Sequence, residues 1–149
     1  MHRRTDAETG VNVVTPEVPE IDIPVGAECV RLHFLGQVSL PGGFPISGQM
    51  GETVASYTIR YANGKVKEVP LRNGIEVAQS NMVFEATRVD PTATAAQRAL
   101  VFVKDWTREH YQALLFSVPV DGGKVASISC KLSGQQSPLL LFAITAERG

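Results

Sequence analysis

The chain of 149 residues is poor in the features that announce most chemistries. It holds two cysteines, Cys29 and Cys130, and no CxxC or CxxH spacing, which excludes the common zinc-ligand patterns. The pair allows one disulfide, but a domain of this length buries enough surface to fold without a staple, and the favoured reading is two free thiols buried in strands. There is no surplus of charge. Lys plus Arg is 14 against 15 for Asp plus Glu, a net charge of −1, and Arg3-Arg4 is the one adjacent basic pair. Without a basic surplus there is no broad attraction to DNA, RNA or anionic membrane, so nucleic acid is not expected as a partner.

Long apolar runs are missing too. The longest is Leu139-Leu140-Leu141-Phe142-Ala143-Ile144, far short of the roughly 20 residues of a membrane-crossing helix. It reads as a buried strand, and no membrane insertion is expected. Met1-His2-Arg3-Arg4 is not followed by an apolar segment, so no secretory signal is read, and the compartment stays open. No G-x-S-x-G nucleophile motif occurs. Gly42-Gly43 and Gly122-Gly123 read as turns, since neither opens a helix with Lys-Ser/Thr. His2 and His33 have no metal-ligand spacing, and no acidic loop resembles a calcium-binding hand. No cofactor or metal is assigned.

What is present is alternation. Hydrophobic residues make up 44% and charged residues 19%, a composition of globular domains. Residues 1–20 are polar, with Pro16, Pro19 and four acids, and read as a flexible lead-in; residues 21–149 read as one domain. Ile21-Asp22-Ile23 alternates and ends at Pro24. Val30, Leu32 and Phe34 alternate with Arg31 and His33, and Tyr57, Ile59 and Tyr61 with Thr58 and Arg60. Asn63-Gly64 predicts a type I′ hairpin turn. Pro70, lacking an N–H, places the return strand at an edge or ends it there. Thr92–Arg98 is the best short helix candidate. Ala126, Ile128, Cys130 and Leu132 alternate with Ser127, Ser129 and Lys131. With turn signals about every 8–12 residues, this pattern predicts an all-β fold. Its form is an antiparallel two-sheet sandwich with at most one short helix, because the amphipathic crossover helices of a parallel sheet are absent.

Three segments together carry a resemblance: Ile21-Asp22-Ile23-Pro24-Val25 leading to Leu32-His33-Phe34-Leu35; Tyr57-Thr58-Ile59-Arg60-Tyr61-Ala62-Asn63-Gly64 leading to Val69-Pro70-Leu71-Arg72-Asn73-Gly74; and Ala126-Ser127-Ile128 with Leu140-Leu141-Phe142-Ala143-Ile144-Thr145. In this order they resemble galactose-binding-like jelly-roll domains, which are often accessory modules of bacterial carbohydrate-active and surface proteins. The likeness covers most of residues 21–145. It implies a jelly roll whose end loops hold a sugar. The chain departs from the pattern after Trp106, where Thr107-Arg108-Glu109 stands in place of an Asn-Pro turn.

Five residues are candidates for ligand contact. Trp106, the single tryptophan, ends an apolar run beside Asp105; an indole face packs against the C–H face of a sugar while polar neighbours take its hydroxyls. Arg72 and Asn73 follow the hairpin's return strand and supply donors and an acceptor. Glu109 stands beside His110, near Asp105. General acid–base catalysis needs such groups to converge on one cleft with a partner from elsewhere, and no such partner is found, so no catalytic residue is assigned. The expected function is a non-catalytic carbohydrate-binding-like accessory module for a polysaccharide or other glycan. The alternative is a structural or protein-interaction sandwich without a sugar ligand, packed on a neighbouring domain or on itself. Val66–Val69 and Leu114–Phe116 would provide its second apolar surface.

Overall fold

The computed structural model describes residues 2–5, 12–15, 20–38, 50–78, 81–82, 92–103, 110–121, 123–133 and 139–149. In chain order the strands are β1 (His2–Thr5), β2 (Asn12–Thr15), β3 (Glu20–Glu28), β4 (Arg31–Val38), β5 (Thr53–Tyr61), β6 (Val66–Arg72), β7 (Asn81–Met82), β8 (Ala96–Val103), β9 (His110–Pro119), β10 (Lys124–Leu132) and β11 (Leu139–Glu147). The described residues contain no helix. Within residues 1–20, β1 and β2 pair with each other as a separate two-stranded sheet.

The remaining strands form two antiparallel sheets. The first has the order β3-β10-β5-β6. The second runs β11-β4-β9, with β8 on β9. Tyr111 of β9 is matched to both Asn81 and Phe102. A strand residue has one neighbour on each side, so short β7 continues the line of β4 and β8 forms the far edge. The sheets lie face to face, which the alternation predicts. Tyr57, Ile59 and Tyr61 of β5 and Leu71 of β6 bury one face of the first sheet; Leu32 and Phe34 of β4 and Val118 of β9 bury the opposing face of the second. The Phe34 and Tyr57 rings stack across the interface with centroids 4.1 Å apart and planes 12° from parallel. At the margin, Lys67 Nζ donates to the Pro119 carbonyl at 2.7 Å and ties β6 to β9.

Several local expectations change. Asn63-Gly64 does turn the chain, but the loop has three residues rather than two. Tyr61 N–H donates to Lys65 O, Gly64 N–H donates to Tyr61 O, and Gly64 takes φ +86°. That is the three-residue hairpin with glycine in the left-handed position. Asn63 Oδ1 accepts from Lys65 N–H at 3.0 Å. Pro24 does not end its strand: β3 continues to Glu28, because β3 is an edge and loses no ladder bond on its open side. Pro70 lies in the other edge of that sheet, β6, as its missing N–H predicts. The helix expected over Thr92–Arg98 is not formed. Ala96 begins β8, paired to Phe116 of β9; cross-strand pairing overrides the helical preference of Ala and Gln. In β10 a bulge between Val125 and Ser127 leaves Ala126 exposed and turns Val125 into the core, because one extra residue shifts the alternation by one.

Both thiols are free; Cys29 is buried in the turn between β3 and β4, and Cys130 is half-buried in β10. Burial raises the Cys29 thiol. Burial first, and the negative charge of Asp22 second, push Cys130 from an ordinary 9.0 up to about 11. Burial also raises the Tyr57 phenol. A folded chain that keeps its protons longer than the unfolded chain loses stability as pH rises. The contribution of Cys130 is complete below pH 9.0 and lost on passing about 11. Melting temperatures measured from pH 7.5 to 11.5 should therefore fall above pH 9, and Cys130→Ala should flatten the part of the fall that lies between 9 and 11. A melting temperature that stays level across that range refutes the assignment.

Candidate functional site

The end of the first sheet, where β6 stops, is the best-built polar corner among the described residues. Three segments meet there: 50–53, 72–78 and 92–96. After Arg72 the backbone folds on itself, with Ile75, Glu76 and Val77 N–H all directed at Arg72 O at 3.1, 3.2 and 3.3 Å. Gly74 closes the turn at φ +74° and donates to Val77 O at 2.8 Å. The neighbouring segments are stitched on by backbone. Asn73 N–H donates to Glu52 O and Gly51 N–H to Asn73 O, both at 2.9 Å; Thr94 N–H donates to Gly74 O at 3.1 Å and Ala95 N–H to Ile75 O at 2.8 Å. Ala78, Ala93 and Leu114 form a small apolar cluster of their own.

The side chains of this corner are asymmetric. Glu76 is buried, and its carboxylate is fully engaged with one residue. Oε2 accepts from Arg72 backbone N–H at 2.9 Å and from Nε at 3.0 Å, while Oε1 accepts from Nη2 at 2.5 Å. A forked guanidinium–carboxylate pair is held in one orientation by its two parallel bonds. The Glu76 hydrogen bond and charge raise the Arg72 guanidinium further above its already high value. Arg72 stays 41% exposed, and Nη1 takes no part in the pair. Asn73 is buried, yet its Oδ1 has no hydrogen-bond partner. An unmet buried acceptor costs about 1–3 kcal/mol, and because this oxygen has almost no accessible surface, it is a local cost of the turn, while Arg72 is the group the corner presents to solvent.

Of the residues expected to contact ligand, Arg72 and Asn73 are brought together here. Trp106, Asp105 and Glu109 lie outside the described residues. Glu76 escaped the sequence reading, although its signal was present: an acid four positions after an arginine, with Gly74 between them marking a turn.

Two further polar rows were invisible in the sequence, because strand register alone brings them together. On the outer face of the second sheet, His33 Nδ1 lies 2.8 Å from Ser117 Oγ and Nε2 lies 3.1 Å from Glu147 Oε2, with Arg31 Nη1 3.6 Å from the same carboxylate. The order of groups is that of nucleophile, base and orienting carboxylate. However, the row runs across β9, β4 and β11 on an outer sheet face, and acyl transfer also needs donors converging beside the nucleophile. The row reads as a tie between three strands. On the outer face of the first sheet, Arg60 donates to Ser129 Oγ, and Ser129 donates to Asp22 Oδ1. Thr58 Oγ1 donates to Glu68 Oε1 at 2.8 Å. Among the described residues, no group of three or more His, Cys, Asp or Glu side chains is placed to hold a metal ion.

Compared with models of known protein families, with curated proteins and with solved structures, the chain matches none.

Proposed function

We propose that this sandwich is a non-catalytic binding module for a hydroxyl-rich glycan, held at the end of the domain where β6 gives way to the Arg72–Ala78 turn. The observation that carries the reading is the exposed Arg72 guanidinium at the end of β6, which Glu76 holds in one orientation beside Asn73. A sugar offers adjacent hydroxyl oxygens as acceptors, and a fixed, exposed guanidinium is complementary to such a pair. The sequence reading adds Trp106 as a stacking face for a sugar and Asp105 and Glu109 as polar contacts, all three outside the described residues. The all-β two-sheet sandwich is compatible with a jelly roll, and the resemblance to galactose-binding-like domains supports the same reading; fold by itself does not fix function.

Glycan-array screening followed by calorimetry on the intact chain tests the proposal. Binding to at least one plant or bacterial polysaccharide is expected. Trp106→Ala and Arg72→Lys should each weaken it about tenfold, equivalent to about 1.4 kcal/mol, with the fold retained by circular dichroism. The absence of binding to any glycan, or binding indifferent to both substitutions, removes it.

The second reading, an interaction domain without a sugar ligand, has its own observation. Large apolar side chains are exposed on both outer strands of the second sheet: Leu100 and Val101 on β8, and Leu140 and Phe142 on β11.

A further inference from the structure

The four sheet edges are not alike. The first sheet ends on β3 and β6, and each is interrupted by proline, Pro24 and Pro70. Both are also charged, β3 by Glu20, Asp22 and Glu28, β6 by Lys67, Glu68 and Arg72. Proline and charge are the usual means by which an edge is kept from pairing with another chain. In the second sheet, β8 carries Arg98, whose Nε donates to Gln112 Oε1 at 2.8 Å. β11 has neither feature along its length before its final residue, Glu147. It contains no proline and no charged residue from Leu139 to Ala146, and among the described residues it has one strand neighbour, β4. Among the described residues its other side is a backbone ladder without a next strand, and two of its large apolar side chains are exposed, Leu140 at 38% and Phe142 at 56%.

The chemistry of an edge names the class of its occupant: an extended backbone with free N–H and C=O groups. The charge pattern narrows this to a second copy of the same strand. Paired antiparallel with itself, Leu139–Ala146 sets no like charges opposite one another. The single charged residue of β11, Glu147, already has a counter-charge in Arg31 at 3.6 Å and a polar neighbour in His33 Nε2 at 3.1 Å. Each copy therefore brings a neutralised end to the pairing. A charged foreign strand would instead set its ions against Leu140 and Phe142 without partners. An isologous contact about a two-fold axis also satisfies both edges at once and closes the assembly.

We propose that β11 is a homodimerisation edge, through which two copies join their second sheets into one continuous antiparallel sheet. The inference rests on the fold and its edges, not on the glycan reading, so either can fail alone.

Sedimentation equilibrium of the intact chain over a concentration series tests it. The expected species is a dimer of 16.1 kDa chains. Phe142→Lys and Ala143→Lys, both at exposed positions of β11, should raise the dissociation constant at least tenfold by setting like charges across the axis. Leu100→Lys on β8, at a position 54% exposed, should leave it unchanged. Hydrogen exchange on the unmodified chain gives a second readout, independent of any variant's folding: β11 amides should lose protection on dilution while β5 amides keep theirs. A monomer at every concentration, an open-ended oligomer, a dimer dissolved by the β8 substitution but not by those in β11, or β11 protection indifferent to dilution each overturns the proposal.

Discussion

Replacing Phe34 by alanine should cost about 3–5 kcal/mol, the usual range for deleting a buried aromatic ring. Phe34 is 2% exposed, in the buried cluster between the two sheets. Its ring lies flat on Tyr57 of the opposite sheet, with Phe116 at 6.4 Å between centroids on its own side. Alanine removes the stacking contact and leaves a void between two rigid ladders that cannot close far without breaking strand pairing. Domains of this kind have about 5–15 kcal/mol of total stability, so the variant should sit near the limit of folding. Urea denaturation at neutral pH measures the loss as a lower midpoint with an unchanged slope. A cost below about 1 kcal/mol would mean that the two sheets do not rely on this contact, and the face-to-face packing would have to be redrawn.

Gly36→Ala should be nearly as damaging, for an unrelated reason. A Cβ built on Gly36 would lie 2.2 Å from the Leu140 carbonyl oxygen of β11. That neighbour is backbone, so no side-chain rotation relieves it. The close approach occurs beside the bulge that separates Leu141 from Ala143 in the β4–β11 pairing, where the ladder is already irregular. Forcing a methyl group into a packed site costs about 1–3 kcal/mol, and here the strand itself has to move. The expected outcome is a loss toward the upper end of that range, with hydrogen-exchange protection falling first in β11 and the far end of β4. Full stability with unchanged protection would show that the two strands are not as close at Gly36 as they stand here. Because β11 is also the proposed dimer edge, this variant should weaken self-association as well, whereas Phe34→Ala should not do so until the fold is lost.

Much of the architecture was legible from local chemistry. Tyr57-Thr58-Ile59-Arg60-Tyr61 and Leu32-His33-Phe34 alternate because one face of each strand is hidden, and period-two burial needs no knowledge of the partner. Pro70 revealed an edge because a missing N–H is a property of the residue. Pro24 shows the limit of that reasoning. The same missing N–H reads as a strand end, since nothing nearby says whether the next strand lies on the side that needs the donor. The segment Thr92–Arg98 fails for a related reason: its alanines prefer a helix in isolation, and Phe116 and Leu115, far along the chain, are what draw Ala96 and Gln97 into β8. Ala126 was expected inside until a bulge exchanged it for Val125. At the corner, Arg72 and Asn73 announced themselves as polar residues after a strand, while the Glu76 clamp and the unmet Asn73 oxygen depend on how the turn closes.

By itself, then, the sequence determined the class of fold, the inward-facing residues of its regular strands and the polar character of the loop after β6, because these follow from residue chemistry and spacing over a few positions. The tertiary structure alone decided which strands are neighbours, where the bulges fall, and which side chains from distant positions meet, as His33 does with Ser117 and Glu147. Those outcomes are settled by backbone pairing between segments dozens of residues apart, and a β-strand carries no local mark of the strand that will lie beside it.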